Sequence, residues 1–299
     1  MTIHDAGRQL FFQLSHVYDE REAKNISDWV MENITGWSKI DRAINKTVPL
    51  SAPQLHLLET YTAGLVAHKP VQYVLHEAWF CGMKLYVDEN VLIPRPETEE
   101  LVEWIIDEAR NAKSMGPGFG SQRDHANIPA PRILDIGTGS GCIALGLKKG
   151  IPGAEVHGYD ISAGALEVAR LNAAEQHLPI ELCRLDFLDE QARNELPAFD
   201  ILVSNPPYIP VKDKATMAAN VLNHEPHLAL FVANNDPLRY YKAIAAFAMG
   251  HLNPGGAIYM EIYEEAGQTV LDLFRHAGFA HTQLKKDLQG KNRMVKASL

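Results

Sequence analysis

The sequence predicts an α/β fold with a parallel sheet, preceded by a small helical domain. Three observations carry this. From Arg132 onward, apolar strand-like runs alternate with helical periodicity, the order that builds right-handed β-α-β crossovers. Arg132-Ile133-Leu134-Asp135-Ile136 leads directly into Gly137-Thr138-Gly139-Ser140-Gly141, a buried strand feeding a glycine loop and then a helix from Cys142 to Lys149. Ahead of residue 75 the pattern is helical and carries no such loop.

Taken in order, Leu10, Leu14, Val17 and Tyr18 fall at i, i+4, i+7 and i+8 of an amphipathic helix, and further helical patterns cover Asn25–Glu32 and Ala52–Ala67. These predict a helical bundle over residues 1–74. Trp79–Val87 and Val91–Ile93 read as strands paired around Asp88-Glu89-Asn90, giving a β-hairpin linker over 75–96. A helix Glu97–Asn111, burying Leu101, Val102, Ile105 and Ile106, opens the larger domain, 97–299, and a Gly- and Pro-rich connection runs from Ser114 to Pro131. Strands are then expected at Glu155–Tyr159, Ile180–Leu185, Ile201–Ser204 and Ala257–Ile262, with helices over Pro237–Leu252 and Glu264–Ala277. A closing hairpin pairs His281–Lys286 with Met294–Ala297.

Composition narrows the function. The chain has 299 residues, 46% of them hydrophobic, enough for real cores, and no apolar run of membrane-spanning length. The polar start Met1-Thr2-Ile3-His4-Asp5 is unlike a signal peptide, so a cytoplasmic protein is expected. Cys81, Cys142 and Cys183 have neither disulfide-framework nor zinc spacing and read as reduced structural thiols. A net charge of −9 disfavours phosphate-backbone binding and favours a protein substrate over nucleic acid.

Two clusters carry the chemistry. The glycine loop is spaced G-x-G-x-G, one residue tighter than the dinucleotide-binding pattern, with Cys142 where a third glycine belongs. That mismatch counts against a nicotinamide cofactor and suits S-adenosylmethionine, which has no pyrophosphate. Asp160 ends the next strand, where an acid can accept from ribose hydroxyls, and Asp186-Phe187 ends the third, suited to an adenine amino group and ring face. The cofactor set is then Asp135, Gly137, Thr138, Gly139, Ser140, Gly141, Asp160, Asp186, Phe187 and Asn205. The second cluster, Asn205-Pro206-Pro207-Tyr208, closes the fourth strand. Its prolines fix two φ angles and offer carbonyls without N–H groups, so the Asn205 side-chain oxygen and the Pro206 carbonyl can each accept one hydrogen of a planar NH2 group while the Tyr208 ring covers its face. Asn205, Pro206 and Tyr208 are therefore the expected catalytic residues, and these with Pro207 the expected substrate contacts.

With Asp135-x-Gly-Thr-Gly-Ser-Gly, Asp160, Asp186-Phe187, Asn205-Pro-Pro-Tyr and the upstream Ile93-Pro94-Arg95-Pro96-Glu97-Thr98-Glu99, the chain resembles the HemK/PrmC glutamine methyltransferases, by motif from about residue 70 to 299. The resemblance implies a Rossmann-like, seven-stranded class I S-adenosylmethionine-dependent methyltransferase domain with an antiparallel last pair. It also implies a substrate-docking helical domain, no metal, and methylation of the glutamine in the Gly-Gly-Gln motif of peptide chain release factors. The Ile-Pro-Arg-Pro-Glu-Thr-Glu segment resembles the release-factor enzyme more than its ribosomal-protein sister.

Alternatives stand beside these readings. A ribosomal-protein glutamine, an exocyclic base amine of DNA or RNA flipped against Tyr208, and a non-catalytic cofactor-binding module all use parts of the same constellation. Arg95 either orients its loop or meets substrate. Glu97 and Glu99 are also what a helix dipole favours in a first turn. His224-Glu225-Pro226-His227 lacks a third metal ligand. Trp79 and Phe80 are expected chiefly in packing between the domains.

Overall fold

The structure is a computed structural model that describes residues 1–114, 130–217 and 219–299. Most of the Gly- and Pro-rich connection therefore lies outside the described residues. The chain divides into two compact units, Met1–Glu77 with Ala218–His224, and Ala78–Met217 with Glu225–Leu299.

In the first unit, α1 (Ile3–Leu14), α2 (Glu20–Thr35), α3 (Lys39–Ile44), α4 (Ala52–Val66) and α5 (Val71–Leu75) form the helical elements. Four of them start where a side chain accepts a free N–H group of the first turn. Thr2 caps α1, Asp19 caps α2, Ser38 caps α3, and Ser51 with Gln54 forms a capping box on α4. Gly36 ends α2 at φ 68°. Leu10, Leu14, Val30, Leu58 and Leu65 meet in one apolar core. The helical period at Leu10 and Leu14 does not run on to Val17 and Tyr18, because α1 stops at Ser15, whose hydroxyl turns back to the Phe11 carbonyl. Tyr18 instead donates its hydroxyl to the Leu65 carbonyl.

The second unit begins with a hairpin of different register from the expected one. β1 (Ala78–Phe80) pairs antiparallel with β2 (Met83–Leu85). The turn is Cys81-Gly82, at φ 48° and 66°, and two successive positive φ angles give the twist that a two-residue hairpin requires. Asp88-Glu89-Asn90 is a side-chain-capped turn, with Asp88 accepting the Asn90 N–H at 2.9 Å, and Val91–Ile93 is no strand. Phe80, Met83 and Leu85 pack with Leu101 and Val102, so the hairpin belongs to this unit's core.

Next come α6 (Pro96–Ser114), β3 (Arg132–Ile136), α7 (Cys142–Gly150), β4 (Glu155–Asp160), α8 (Ala163–Glu175), β5 (Glu181–Arg184), α9 (Glu190–Asn194), β6 (Phe199–Ser204) and β7 (Ile209–Pro210). After α10 (Ala219–His224) come α11 (His227–Leu230), β8 (Phe231–Val232), α12 (Arg239–His251), β9 (Leu252–Glu261), α13 (Gly267–His276), β10 (His281–Lys286) and β11 (Asn292–Ser298). Seven strands form one sheet in the order β10-β11-β9-β6-β3-β4-β5, in which β11 runs antiparallel to both neighbours and β9, β6, β3, β4 and β5 are mutually parallel. The expected seven-stranded α/β architecture is what forms. Side chains alternate across the sheet: Leu134, Leu202 and Met260 join Phe247 and Phe274 of α12 and α13 on one face, while Ile133, Val203 and Tyr259 join Val102 and Leu147 of α6 and α7 on the other.

Strand order reverses between β3 and β6, and at such a point the carboxyl ends of parallel strands open a crevice. Opposite Asp200, where the β6–β9 register shifts, Gly256 is indispensable to the packing: a Cβ there would sit 2.7 Å from the Asp200 carbonyl and 2.9 Å from that of Asn253. Backbone cannot rotate away as a side chain can. Gly256→Ala is therefore predicted to destabilise the protein by about 1–3 kcal/mol, read as a lower urea midpoint at unchanged slope. An unshifted midpoint would refute it.

Candidate active site

A cavity of about 350 Å³ occupies the crevice. On one side runs the loop after β3, held down because the Gly137 and Thr138 N–H groups both donate to the Tyr159 carbonyl, at 2.8 and 3.0 Å. Gly137 and Gly139 have φ of 74° and 54°, and among the described residues a Cβ at either would meet nothing within 4 Å beyond its own chain neighbours, so the loop presents bare backbone to the cavity. Asp135 lies beneath the loop, fully buried, where one carboxylate oxygen accepts from Thr138 Oγ1 at 2.6 Å and from the Ala144 N–H at 3.2 Å. Among the described residues, its other oxygen and the buried Ser140 hydroxyl have no hydrogen-bond partner. Asp160 reaches the cavity from the end of β4, its two oxygens accepting the Gly139 and Ser162 N–H groups, each at 2.9 Å. Asp186 accepts the Leu188 N–H, and Phe187 packs edge-on against Phe247.

Across the crevice, Ser204 ends β6 and donates to the Ile136 carbonyl at 2.6 Å, tying the fourth strand end to the first. Asn205, Pro206 and Pro207 then line the cavity. Asn205 Nδ2 donates to Thr98 Oγ1 at 3.2 Å, Thr98 donates to Glu261 Oε2 at 2.6 Å, and the Tyr208 hydroxyl donates to Glu261 Oε1 at 3.1 Å. Tyr208 does not cover the first cavity as expected. Held by Glu261, its ring lines a second cavity of about 260 Å³ with Tyr263 and Arg293. Asp135 and Gly141 likewise do not face the first cavity: Asp135 braces the loop from below, and Gly141 starts α7 at φ 80° with Ala169 3.3 Å from where its Cβ would be.

Similarity to known proteins converges on one family. A model for the PrmC N-terminal domain matches residues 5–75, and one for the methyltransferase small domain matches residues 123–235. The release factor glutamine methyltransferase of Flavobacterium psychrophilum is 39% identical across 100% of this chain and 99% of its own length. That of Streptococcus pneumoniae is 46% identical over 77% and 75%. The chain belongs to the release factor glutamine methyltransferase family. It is a methyltransferase. The crystal structure of the hMettl16 catalytic domain shares the fold, with a TM-score of 0.53 at 15% identity over 85% of each chain.

Within this family member, Arg95 lines the cavity but its guanidinium is engaged, 2.5 Å from Glu225, whose side chain is 1% exposed and also accepts the Ile93 N–H at 3.3 Å. The loop-orienting role of Arg95 is thus the one with a visible partner. Glu225, which the sequence marks only as part of a poor metal pair, is that partner, and among the described residues no group of side chains is arranged to hold a metal ion. Thr98 and Glu261 went unmarked in the sequence. Thr98 sits inside the Pro96-Glu97-Thr98-Glu99 segment, whereas nothing local to Glu261 distinguishes it from other strand-end acids. Burial raises the Cys81 and Cys142 thiols to about 12, so both remain protonated and unreactive at neutral pH.

Burial also raises the Asp135 carboxyl from 3.8 to about 7, against the lowering effect of the Thr138 and Ala144 hydrogen bonds. Between those values the folded chain holds a proton that the unfolded chain has lost, so this group's contribution to stability falls as pH rises and is fully lost above about 7. Asp135→Asn keeps an acceptor for Thr138 and Ala144 without the ionisation. It is predicted to flatten the decline of unfolding free energy from about pH 4 to about pH 7, measured by urea titration across that range. A slope as steep as the parent's would refute the assignment.

Proposed function

We propose that this enzyme methylates the side-chain amide nitrogen of the glutamine in the Gly-Gly-Gln motif of peptide chain release factors, using S-adenosylmethionine. The observation that carries the reading is one crevice whose opposite walls are a bare glycine loop with Asp160 and the Asn205-Pro206-Pro207 turn. Relatives named for this activity match along nearly the whole chain, which supports it.

The residues present fit the cofactor. Bare backbone at Gly137 and Gly139 leaves room, the unpartnered Ser140 hydroxyl awaits a polar group, and Asp160 keeps lone pairs for a ribose diol. Asp186 and Phe187 are assigned to the adenine end. When bound, S-adenosylmethionine supplies an electrophilic methyl group on a sulfonium.

The protein's task concerns the acceptor. An amide nitrogen is a poor nucleophile because its lone pair is delocalised, the resonance behind a rotational barrier of ~18–20 kcal/mol. Asn205 Oδ1 and the Pro206 carbonyl each accept one amide N–H, which turns the nitrogen's face into the cavity and favours its pyramidalisation. Such alignment supplies up to roughly 7–11 kcal/mol of the barrier. No strong base is required early, since the nitrogen becomes acidic only as it is alkylated, and the proton then leaves through either acceptor oxygen to water. We assign the helical unit to docking the protein substrate.

Two outcomes test this. Asp160→Ala should weaken S-adenosylhomocysteine binding by roughly 10- to 100-fold, whereas Asn205→Ala should leave it within about threefold and lower turnover by about 10²–10³. Calorimetry beside a methylation assay separates the two; equal loss of affinity in both variants would show the roles misassigned. The acceptor's neighbour should matter as well. A glutamine side chain reaching Asn205 brings its backbone close to the rim, where preceding glycines have no Cβ to clash. Replacing the glycine before the glutamine by valine in a full-length release factor should abolish most methylation while complex formation persists. Undiminished labelling by mass spectrometry, or labelling of DNA adenine or a ribosomal protein instead, would move the assignment to another acceptor.

A further inference from the structure

Glu261 stands at the carboxyl end of β9, only 2% exposed, between two hydroxyls that belong to different parts of the site. We infer that Glu261 is a positioning residue for methyl transfer: acting through Thr98, it determines which end of the Asn205 amide faces the acceptor. The inference rests on the reading of Asn205 as the acceptor clamp.

Counting hydrogens fixes the orientation. An ionised carboxylate only accepts, so both hydroxyls that touch it must donate: Thr98 to Oε2 at 2.6 Å, Tyr208 to Oε1 at 3.1 Å. A threonine hydroxyl has one hydrogen. With that hydrogen committed to Glu261, Thr98 Oγ1 can only accept from Asn205, 3.2 Å away, and Asn205 must present its NH2 to Thr98. Oδ1 is then the end left for an incoming N–H. The reverse orientation would set the Asn205 NH2 against the acceptor's own NH2, two donors with nothing between them. Packing cannot make this choice, because the two ends of a carboxamide have nearly the same size and shape. Charge can.

Burial and the neighbouring Glu97 raise the pKa of Glu261, while the hydrogen bonds from Thr98 and Tyr208 and the positive charge of Arg293 favour its ionised form. Two hydroxyls within hydrogen-bond reach, one on each oxygen, are the arrangement a carboxylate accepts. The Tyr241 hydroxyl donates to the Glu261 backbone carbonyl at 3.3 Å, which steadies the residue itself. Because its two carboxylate oxygens reach Tyr208 directly and Asn205 through Thr98, one side chain holds both the first and the last residue of the Asn-Pro-Pro-Tyr turn.

The test compares Glu261→Gln, Thr98→Val and Thr98→Ser in the full-length enzyme. A glutamine at 261 brings its own NH2 and allows Thr98 to donate toward Asn205, turning the clamp round; valine at 98 removes the link; serine retains it. Glu261→Gln and Thr98→Val should each lower kcat on a release factor by about 100-fold, with KM and S-adenosylhomocysteine affinity within about threefold, while Thr98→Ser stays close to the parent. A second readout needs no substrate: in ¹⁵N-labelled protein, the side-chain NH2 signal of Asn205 should move in Glu261→Gln and Thr98→Val and remain in place in Thr98→Ser. Parental kcat in a folded Glu261→Gln enzyme, equal behaviour of the valine and serine variants, or an unmoved Asn205 signal overturns the inference. Should Glu261→Gln fail to fold, the valine and serine pair decides. Should the parent enzyme leave release factors unmodified, the substrate assignment falls while the Asn205 signal still decides the orientation.

Discussion

The parallel pairing of β3 with both β4 and β6 is the constraint on which the site depends. Register places Ile133 beside Ile201, Leu134 beside Leu202 and Asp135 beside Val203, so the two strands end within a residue or so of each other. The glycine loop leaves the end of β3, and the Asn-Pro-Pro-Tyr turn leaves the end of β6. On the other flank, Asp135 lies beside Gly158 and Ile136 beside Tyr159, which brings Asp160 to the rim. Gly158 has a specific use here: a Cβ on it would come 2.7 Å from Thr138 Oγ1, the hydroxyl that braces Asp135 under the loop. A one-residue slip in either ladder would reverse the facing of every side chain in the strand.

Once the strands are fixed, charge governs the details. Asp135, Asp160 and Glu261 all have carboxyl pKa values raised by burial, yet each is engaged differently. Asp135 grips its own loop, Asp160 spans two backbone N–H groups at the rim, and Glu261 collects hydroxyls behind the acceptor turn. Placing such groups in poorly solvated positions strengthens each hydrogen bond that they make. It also makes each of them costly to leave unpaired.

How much of this could be read from the amino acids depends on the range of the interaction. The alternation of strands and helices after Arg132, the loop glycines and the proline pair are local features, and the seven-stranded sheet forms as they predict. Turn chemistry was harder. Asp88-Glu89-Asn90 has the composition of a hairpin turn, but Cys81-Gly82 takes the two positive φ angles, and a cysteine at φ 48° carries no sequence signal for it. Helical spacing likewise overran the true end of α1, where a serine hydroxyl redirects the chain. The partners of the site were the least legible: Thr98, Glu225 and Glu261 matter only because folding brings them beside Asn205, Arg95 and Tyr208, and no spacing rule links such positions.

That separation along the chain has its own consequence. The bonds around the acceptor turn join residues 107, 163 and 53 positions apart, and the Arg95–Glu225 pair joins residues 130 apart. Contacts of this span require large loops to be closed before they contribute anything, so they belong to the slow part of folding. The glycine loop, by contrast, is braced chiefly by residues between 135 and 172. During synthesis, the cofactor wall therefore has its parts before the acceptor wall does, and a chain interrupted short of Glu261 would carry the Asn205 turn without the carboxylate that orients it.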